Sequence, residues 1–160
     1  MSSSPTEPNR GFVVVTGTST GIGAATAVQL TERGFHVFAG VRHQVDGDAL
    51  RARAPERLTP LIIEVTDQAT ISAAAAAAAA AVGQRGLAGL VNNAGIAKPA
   101  PIEFQPMADF RTQLEVNLFG PIKALAIIAI IGKRHELLEF LTKANPRRPL
   151  IKVEDVVDGP

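Results

Sequence analysis

The run VVVTGTSTGIG, Val13 to Gly23, decides how the rest of the chain is read. Its start belongs to FVVV, Phe12 to Val15, a short and mostly β-branched run of the kind that parallel sheets bury on both faces. The run then breaks into small hydroxylated residues and the glycines Gly17, Gly21 and Gly23. GIGAATAVQLTER follows, with Ile22, Ala25, Val28 and Gln29 at helical spacing and Gly34 as the stop. A strand that hands over to a helix with so little side chain leaves room for something close to the backbone. At a helix start the favoured species is an anion.

The same alternation continues outward. FHVFAGV, Phe35 to Val41, reads as a second strand, and DGDALRARA as a short helix capped by Asp46 or Asp48 and ended by Pro55. LIIEV, Leu61 to Val65, is the third strand. TDQATISAAAAAAAAAVGQ is a helix with Thr66 or Asp67 at its cap, and its alanine run from Ala73 to Ala81 predicts a tightly packed or solvent-facing helix rather than a repeat. LAGLV, Leu87 to Val91, is the fourth strand. MADFRTQLEVNLFGPIKALAIIAI reads as one long helix with a kink near Pro121. The order βαβαβαβ predicts an α/β fold, a doubly wound parallel sheet with right-handed crossovers, over residues 11–131. Residues 1–10 read as a polar, disordered leader. Residues 132–160 form an atypical tail, with Leu137, Leu138 and Leu141 on one helical face and a possible strand LIKV.

Composition limits what the domain can meet. The 160 residues are 46% apolar and carry 16 Lys and Arg against 15 Asp and Glu, a soluble globular balance with no basic footprint for nucleic acid or an anionic membrane. The absence of cysteine excludes disulfides, thiolate nucleophiles and Cys-based zinc sites. No metal ligand set is read from the sequence. The first ten residues lack the basic start and apolar core of a secretory signal, so a cytoplasmic protein is expected. The longest apolar stretch, LAIIAII from Leu125 to Ile131, is far below the roughly 20 residues of a membrane span.

The glycine spacing G-x-x-x-G-x-G at a strand-to-helix junction lets a pyrophosphate sit on free backbone N–H groups at the positive end of the helix dipole, with Thr18, Ser19 and Thr20 as added hydroxyl donors. A nucleoside-triphosphate loop would need Gly-Lys-Ser/Thr where this chain has GIGA. Two further stretches extend the pattern: NNAG, Asn92 to Gly95, after the fourth strand, and VNLFG, Val116 to Gly120, in the long helix. TGTSTGIG, NNAG and VNLFG, in this order and spacing, resemble the short-chain dehydrogenase/reductase family. GLAGLVNNAG and VFAGVR resemble its retinol, hydroxysteroid and hydroxybutyrate dehydrogenase branch.

The resemblance implies a Rossmann-type cofactor domain and an oxidoreductase that transfers hydride between NAD(P)(H) and an alcohol or ketone such as a steroid, retinoid or hydroxy acid. Gly17, Gly21 and Gly23 would hold the dinucleotide phosphates, with Ser19, Thr20 and Ile22 in the same loop. Glu64 and Val65 stand where the family places an Asp and a hydrophobic residue at the adenine, while Asp67 is expected to cap a helix. Asn92, Ala94 and Gly95 would line the ribose and nicotinamide side. Asn117 would hold the water of the family's proton relay, or else serve as a satisfied polar group in a kinked helix. The end of the second strand offers Val41 and Arg42 in place of the carboxylate that selects NAD, so NADP(H) is expected over NAD(H).

The family's acid/base Tyr, its Y-x-x-x-K lysine and its Ser have no counterparts. The chain contains no tyrosine, and no serine after Ser72. His135, Lys133 and Lys143 read as exposed charges. The expectation is a cofactor half truncated after the fourth strand and long helix, inactive as given; the alternative is a non-catalytic dinucleotide-binding module. The fourth-strand edge and the LAIIAII face would then be bare, which predicts self-association unless LIKV covers the edge.

Overall fold

A computed structural model describes residues 10–131, except the side chains at 126 and 128–130. The leader through residue 9 and the 132–160 tail, with LIKV, lie outside the described residues. Four parallel strands, β1 (Phe12–Val15), β2 (His36–Val41), β3 (Leu58–Ile62) and β4 (Gly89–Val91), lie in the order β3-β2-β1-β4. Helices α1 (Gly21–Glu32), α2 (Gln44–Arg51) and α3 (Gln68–Val82) connect them, and α4 (Met107–Leu114) and α5 (Gly120–Ile131) follow β4. This is the α/β parallel sheet expected, with β4 an edge strand among the described residues.

β1 pairs β2 through Phe12↔His36 to Val15↔Ala39, and β4 through Val13↔Gly89 to Val15↔Val91. Val14 and Val15 are fully buried because both sheet faces are covered. Phe12, Val14 and Phe38 meet α3 and α5 on one face, whereas Val13, Val15 and Val37 meet α1 and Leu50 of α2 on the other. Complete burial of an aromatic such as Phe38 contributes about 2–3 kcal/mol before entropy is counted.

Several boundaries differ from the sequence expectations. β3 lies three residues earlier than Leu61–Val65: Pro60 is accommodated inside it, opposite Ala39, because β3 is an edge strand and the missing N–H faces no partner strand. Ile63, Glu64 and Val65 run on past the sheet. α2 starts at Gln44, with His43 at its N-cap position, so Asp46 is a first-turn acid rather than a cap and Asp48 accepts from Gln44 Nε2. α1 buries Gly23, Ala24, Ala27 and Thr31 rather than the Ile22, Ala25, Val28, Gln29 stripe, because a helix pressed onto the sheet admits only small side chains. It ends as expected: Gly34, at φ +86°, donates to the Thr31 carbonyl and Phe35 to that of Leu30, a Schellman stop.

The long helix is two helices. A π-helical turn, Glu115–Phe119, separates α4 from α5, with Gly120 N–H donating to the Glu115 carbonyl. Pro121 has no N–H to continue the ladder, and the wider turn absorbs that loss. A Cβ on Gly120 would stand 2.9 Å from Val65 Cγ2, so the glycine lets α5 approach the end of the third strand's extension. The LAIIAII face is not wholly bare either. Ile127 and Ile131 are buried against the alanine face of α3, formed by Ala74, Ala75 and Ala78, while Leu125 is exposed.

Candidate functional site

All four strands end on one side of the sheet, and their trailing loops surround a cleft of about 500 Å³. Gly17 to Gly23 follow β1, Arg42 follows β2, Ile63 to Thr66 follow β3 and Asn93 to Ile96 follow β4; Thr112 of α4 and Val116 of the π turn close the far side. The strand order reverses at β1, and in open α/β sheets ligands bind at that switch point.

The glycines of the opening loop divide the work. A Cβ on Gly17 would lie 2.6 Å from Ala94 Cα, and one on Gly23 would lie 2.2 Å from the Gly17 carbonyl oxygen and 2.3 Å from Asn93 Nδ2. Those two glycines admit the chain's own packing. Gly21, at φ +60° with nothing within 4 Å of its Cβ position, is there for its backbone conformation, which turns the loop into α1. Helix α1 starts there with no side-chain cap and no acid in its first turn. Among the described residues, the N–H groups of Gly21, Ile22 and Gly23 donate to no atom. Unpartnered amides at the positive end of a 12-residue helix are the donor set a diphosphate requires, so the residues present fit a dinucleotide.

The hydroxyls of this loop serve different ends. Thr18 is buried and its Oγ1 donates to the Gly40 carbonyl at 3.0 Å, so it is not the ligand donor the sequence suggested. Ser19 and Thr20 line the cleft. Thr16 is buried, and its Oγ1 accepts from the N–H groups of Asn93 and Ala94, both at 3.1 Å.

Asn93 ties the two loops together: its Nδ2 donates to the carbonyls of Thr16 at 3.0 Å and Gly17 at 2.8 Å. The sequence reading chose Asn92 of the pair. Asn92 is exposed and outside the cleft lining, because β4 ends at Val91 and strand alternation turns the next side chain away and the one after it inward. Asn93 and its partner Thr16 were missed, although a polar doublet directly after a buried strand signals a loop needing internal hydrogen bonds.

The remaining expected residues separate clearly. Gly17, Ser19, Thr20, Ile22, Gly23, Arg42, Glu64, Val65, Ala94 and Gly95 all line the cleft, while Gly21, Asn92 and Asn117 do not. Arg42 is exposed and has no hydrogen bond or ion pair among the described residues. Glu64 Oε1 accepts from the Thr66 N–H at 3.2 Å and Thr66 Oγ1 at 3.1 Å, which fixes its carboxylate at the cleft wall. Asp67 caps α3 through the Ala69 N–H at 2.8 Å, as expected. Asn117, in the π turn, accepts from the Ile96 N–H at 2.9 Å and donates to the Ile96 carbonyl at 2.8 Å. Gly95 permits this approach, since its Cβ would stand 3.3 Å from Asn117 Oδ1. Arg42 and Glu64 are the only titratable side chains among the described lining residues.

No described helix is long and apolar enough to cross a membrane. The sequence model of the short chain dehydrogenase family matches residues 11–132. The chain is similar to an NADPH-dependent 3-dehydrocapnine reductase of Ornithobacterium rhinotracheale, 37% identical over 69% of this chain and 39% of the relative. It is likewise similar to retinol dehydrogenase 7 of Rattus norvegicus, 41% identical over 76% and 39%. Among solved structures it resembles a gluconate 5-dehydrogenase from Burkholderia cenocepacia in complex with NADP and tartrate, with a TM-score of 0.70, 26% identity, and 84% of this chain and 51% of that one covered. The chain thus spans about two fifths of the length of the curated relatives it matches.

Proposed function

The chain belongs to the short chain dehydrogenase family, and from that premise we propose that its cleft binds NADP(H) in preference to NAD(H), as the cofactor half of a reductase acting on an alcohol or ketone. The carrying observation is Arg42, an unpaired cation on the cleft wall where a carboxylate would otherwise stand. The names of two similar proteins, an NADPH-dependent reductase and a dehydrogenase bound to NADP, support the same choice. A steroid, retinoid or hydroxy acid is the substrate class proposed, from the retinol dehydrogenases among the relatives.

When bound, the coenzyme supplies a hydride from its nicotinamide ring. The chain's own residues bind and orient it. The amides from Gly21 to Gly23 would receive the diphosphate, Arg42 would pair with the 2′-phosphate, and Glu64 and Val65 would hold the adenine end. Asn117 stands at the family's relay position, and its amide holds the Ile96 backbone. The family's acid/base tyrosine has no counterpart among the 160 residues.

That gap favours a second reading, a dinucleotide-binding module without turnover, and the specific observation behind it is the absence of tyrosine from all 160 residues. Titration of the chain with NADPH and NADH, followed by reduced-nicotinamide fluorescence, tests binding. NADPH should bind about tenfold or more tightly than NADH. The substitution Arg42→Ala should abolish that preference while leaving NADH binding unchanged. Equal affinity for both coenzymes in the unmodified chain would overturn the preference. Incubation with a panel of alcohols and ketones then separates an oxidoreductase from a binder.

A further inference from the structure

Two side-chain amides on the α4 side of the cleft grip an extended segment. Asn117 pairs with both the N–H and the carbonyl of Ile96, at 2.9 and 2.8 Å. Gln113 repeats the pattern on Lys98: its Oε1 accepts from the Lys98 N–H at 3.0 Å and its Nε2 donates to the Lys98 carbonyl at 3.4 Å. Gln113 and Asn117 lie about one helical turn apart and Lys98 and Ile96 two residues apart, so each amide meets one residue of the segment. Gln105 Nε2 also donates to the Lys98 carbonyl at 3.0 Å, and the Lys98 ammonium pairs with Asp109 at 2.7 Å. Lys98 and Asn117 are exposed while Ile96, Gln105, Asp109 and Gln113 are half-buried, so water competes for part of this network and the strap can still be released.

The strap lies at one end of the cleft. In the order β3-β2-β1-β4, Arg42 follows β2 and Ile96 follows β4, on opposite flanks of the β1 loop. A coenzyme with its diphosphate over the α1 start and its 2′-phosphate at Arg42 extends its nicotinamide half toward Ile96. We infer that Gln113 is a positioning residue: by fixing Lys98 as Asn117 fixes Ile96, it steadies the segment whose Ile96 lines the cleft, where the nicotinamide half would rest. The inference rests on the proposal that the cleft takes NADP(H).

The test compares two ligands on the full chain by titration calorimetry: NADPH, which reaches the strap, and 2′,5′-ADP, which carries only the Arg42 end. Gln113→Ala should weaken NADPH about five- to tenfold and leave 2′,5′-ADP unchanged. Gln113→Glu keeps the acceptor for the Lys98 N–H and should fall between, while also serving if the alanine variant fails to fold. Amide exchange should quicken at Lys98 in Gln113→Ala, less so in Gln113→Glu, and stay slow at Ile96 in both. An equal loss for both ligands, or no loss for either, overturns the role of Gln113. An unmodified chain that binds neither ligand overturns the cofactor proposal and this inference with it, whereas binding of both without a selective loss defeats the inference alone.

Discussion

Gly23 and Gly21 stand two residues apart and are required for opposite reasons. A methyl group at Gly23 meets the Gly17 carbonyl oxygen, backbone that cannot swing aside. Gly23→Ala should therefore cost about 2–4 kcal/mol in denaturant unfolding and spoil the amide cradle. At Gly21 the space is open and only the positive φ resists, so Gly21→Ala should cost about 1–2 kcal/mol. His36 is a different case, at the far end of the sheet from the cleft. It packs beside the stacked rings of Phe12 and Phe38 and shares a hydrogen bond with Thr59 Oγ1 at 2.9 Å. Burial lowers its pKa below the ordinary 6.5, and the charges of Arg57 and Arg85 push the same way. The neutral form is the one the fold favours. This contribution is complete above pH about 6.5 and is lost as the pH falls through the lowered folded-state value. Unfolding midpoints measured from neutral pH downward should show that decline, and His36→Gln should flatten it. The three glycines could be read from spacing alone. The choice between Asn92 and Asn93 could not, because identical side chains differ only in where strand alternation points them.

At the scale of elements, local chemistry that acts within a few residues was legible. The Asp67 cap and the Gly34 stop stand where the sequence puts them, since each depends on a single turn of backbone. Asp67→Ala should lower stability by about 1 kcal/mol, read as a shift in the thermal midpoint, with coenzyme binding unaffected because Asp67 lies outside the cleft lining. Features set by a neighbouring element were not legible. Pro60 is a breaker in a central strand and acceptable at an edge, and nothing in LTPLI says which it is. Gly47 sits inside α2 because its Cβ would lie 2.6 Å from Pro60 Cβ, a contact made only once α2 covers β3. The π turn at Glu115–Phe119 is the same kind of case: Pro121 announced a break, but the wider turn that turns Asn117 toward Ile96 is a product of packing.

At the scale of the whole molecule, one side of the α4–α5 unit is uncovered among the described residues. Leu118, Phe119, Ile122 and Leu125 are each about half exposed and fall at helical spacing on one stripe. Self-association is expected through this stripe, and sedimentation at micromolar concentration should show species heavier than the monomer. Ile122→Glu should shift the chain toward monomer without changing NADPH affinity, since Ile122 lies outside the cleft lining. The sequence by itself determined the alternation of strands and helices, the family and the glycine-rich, uncapped start of α1, because these follow from residue type at short, fixed spacings. Only the tertiary structure decided that the chain's own packing leaves no room for a Cβ at Gly17 and Gly23, that Thr18 faces inward and that Asn93 rather than Asn92 joins the loops. Those outcomes depend on contacts between residues as many as 77 positions apart, as in Thr16 with Asn93, and no periodicity in the sequence encodes the distance between two loops that meet only after the sheet has formed.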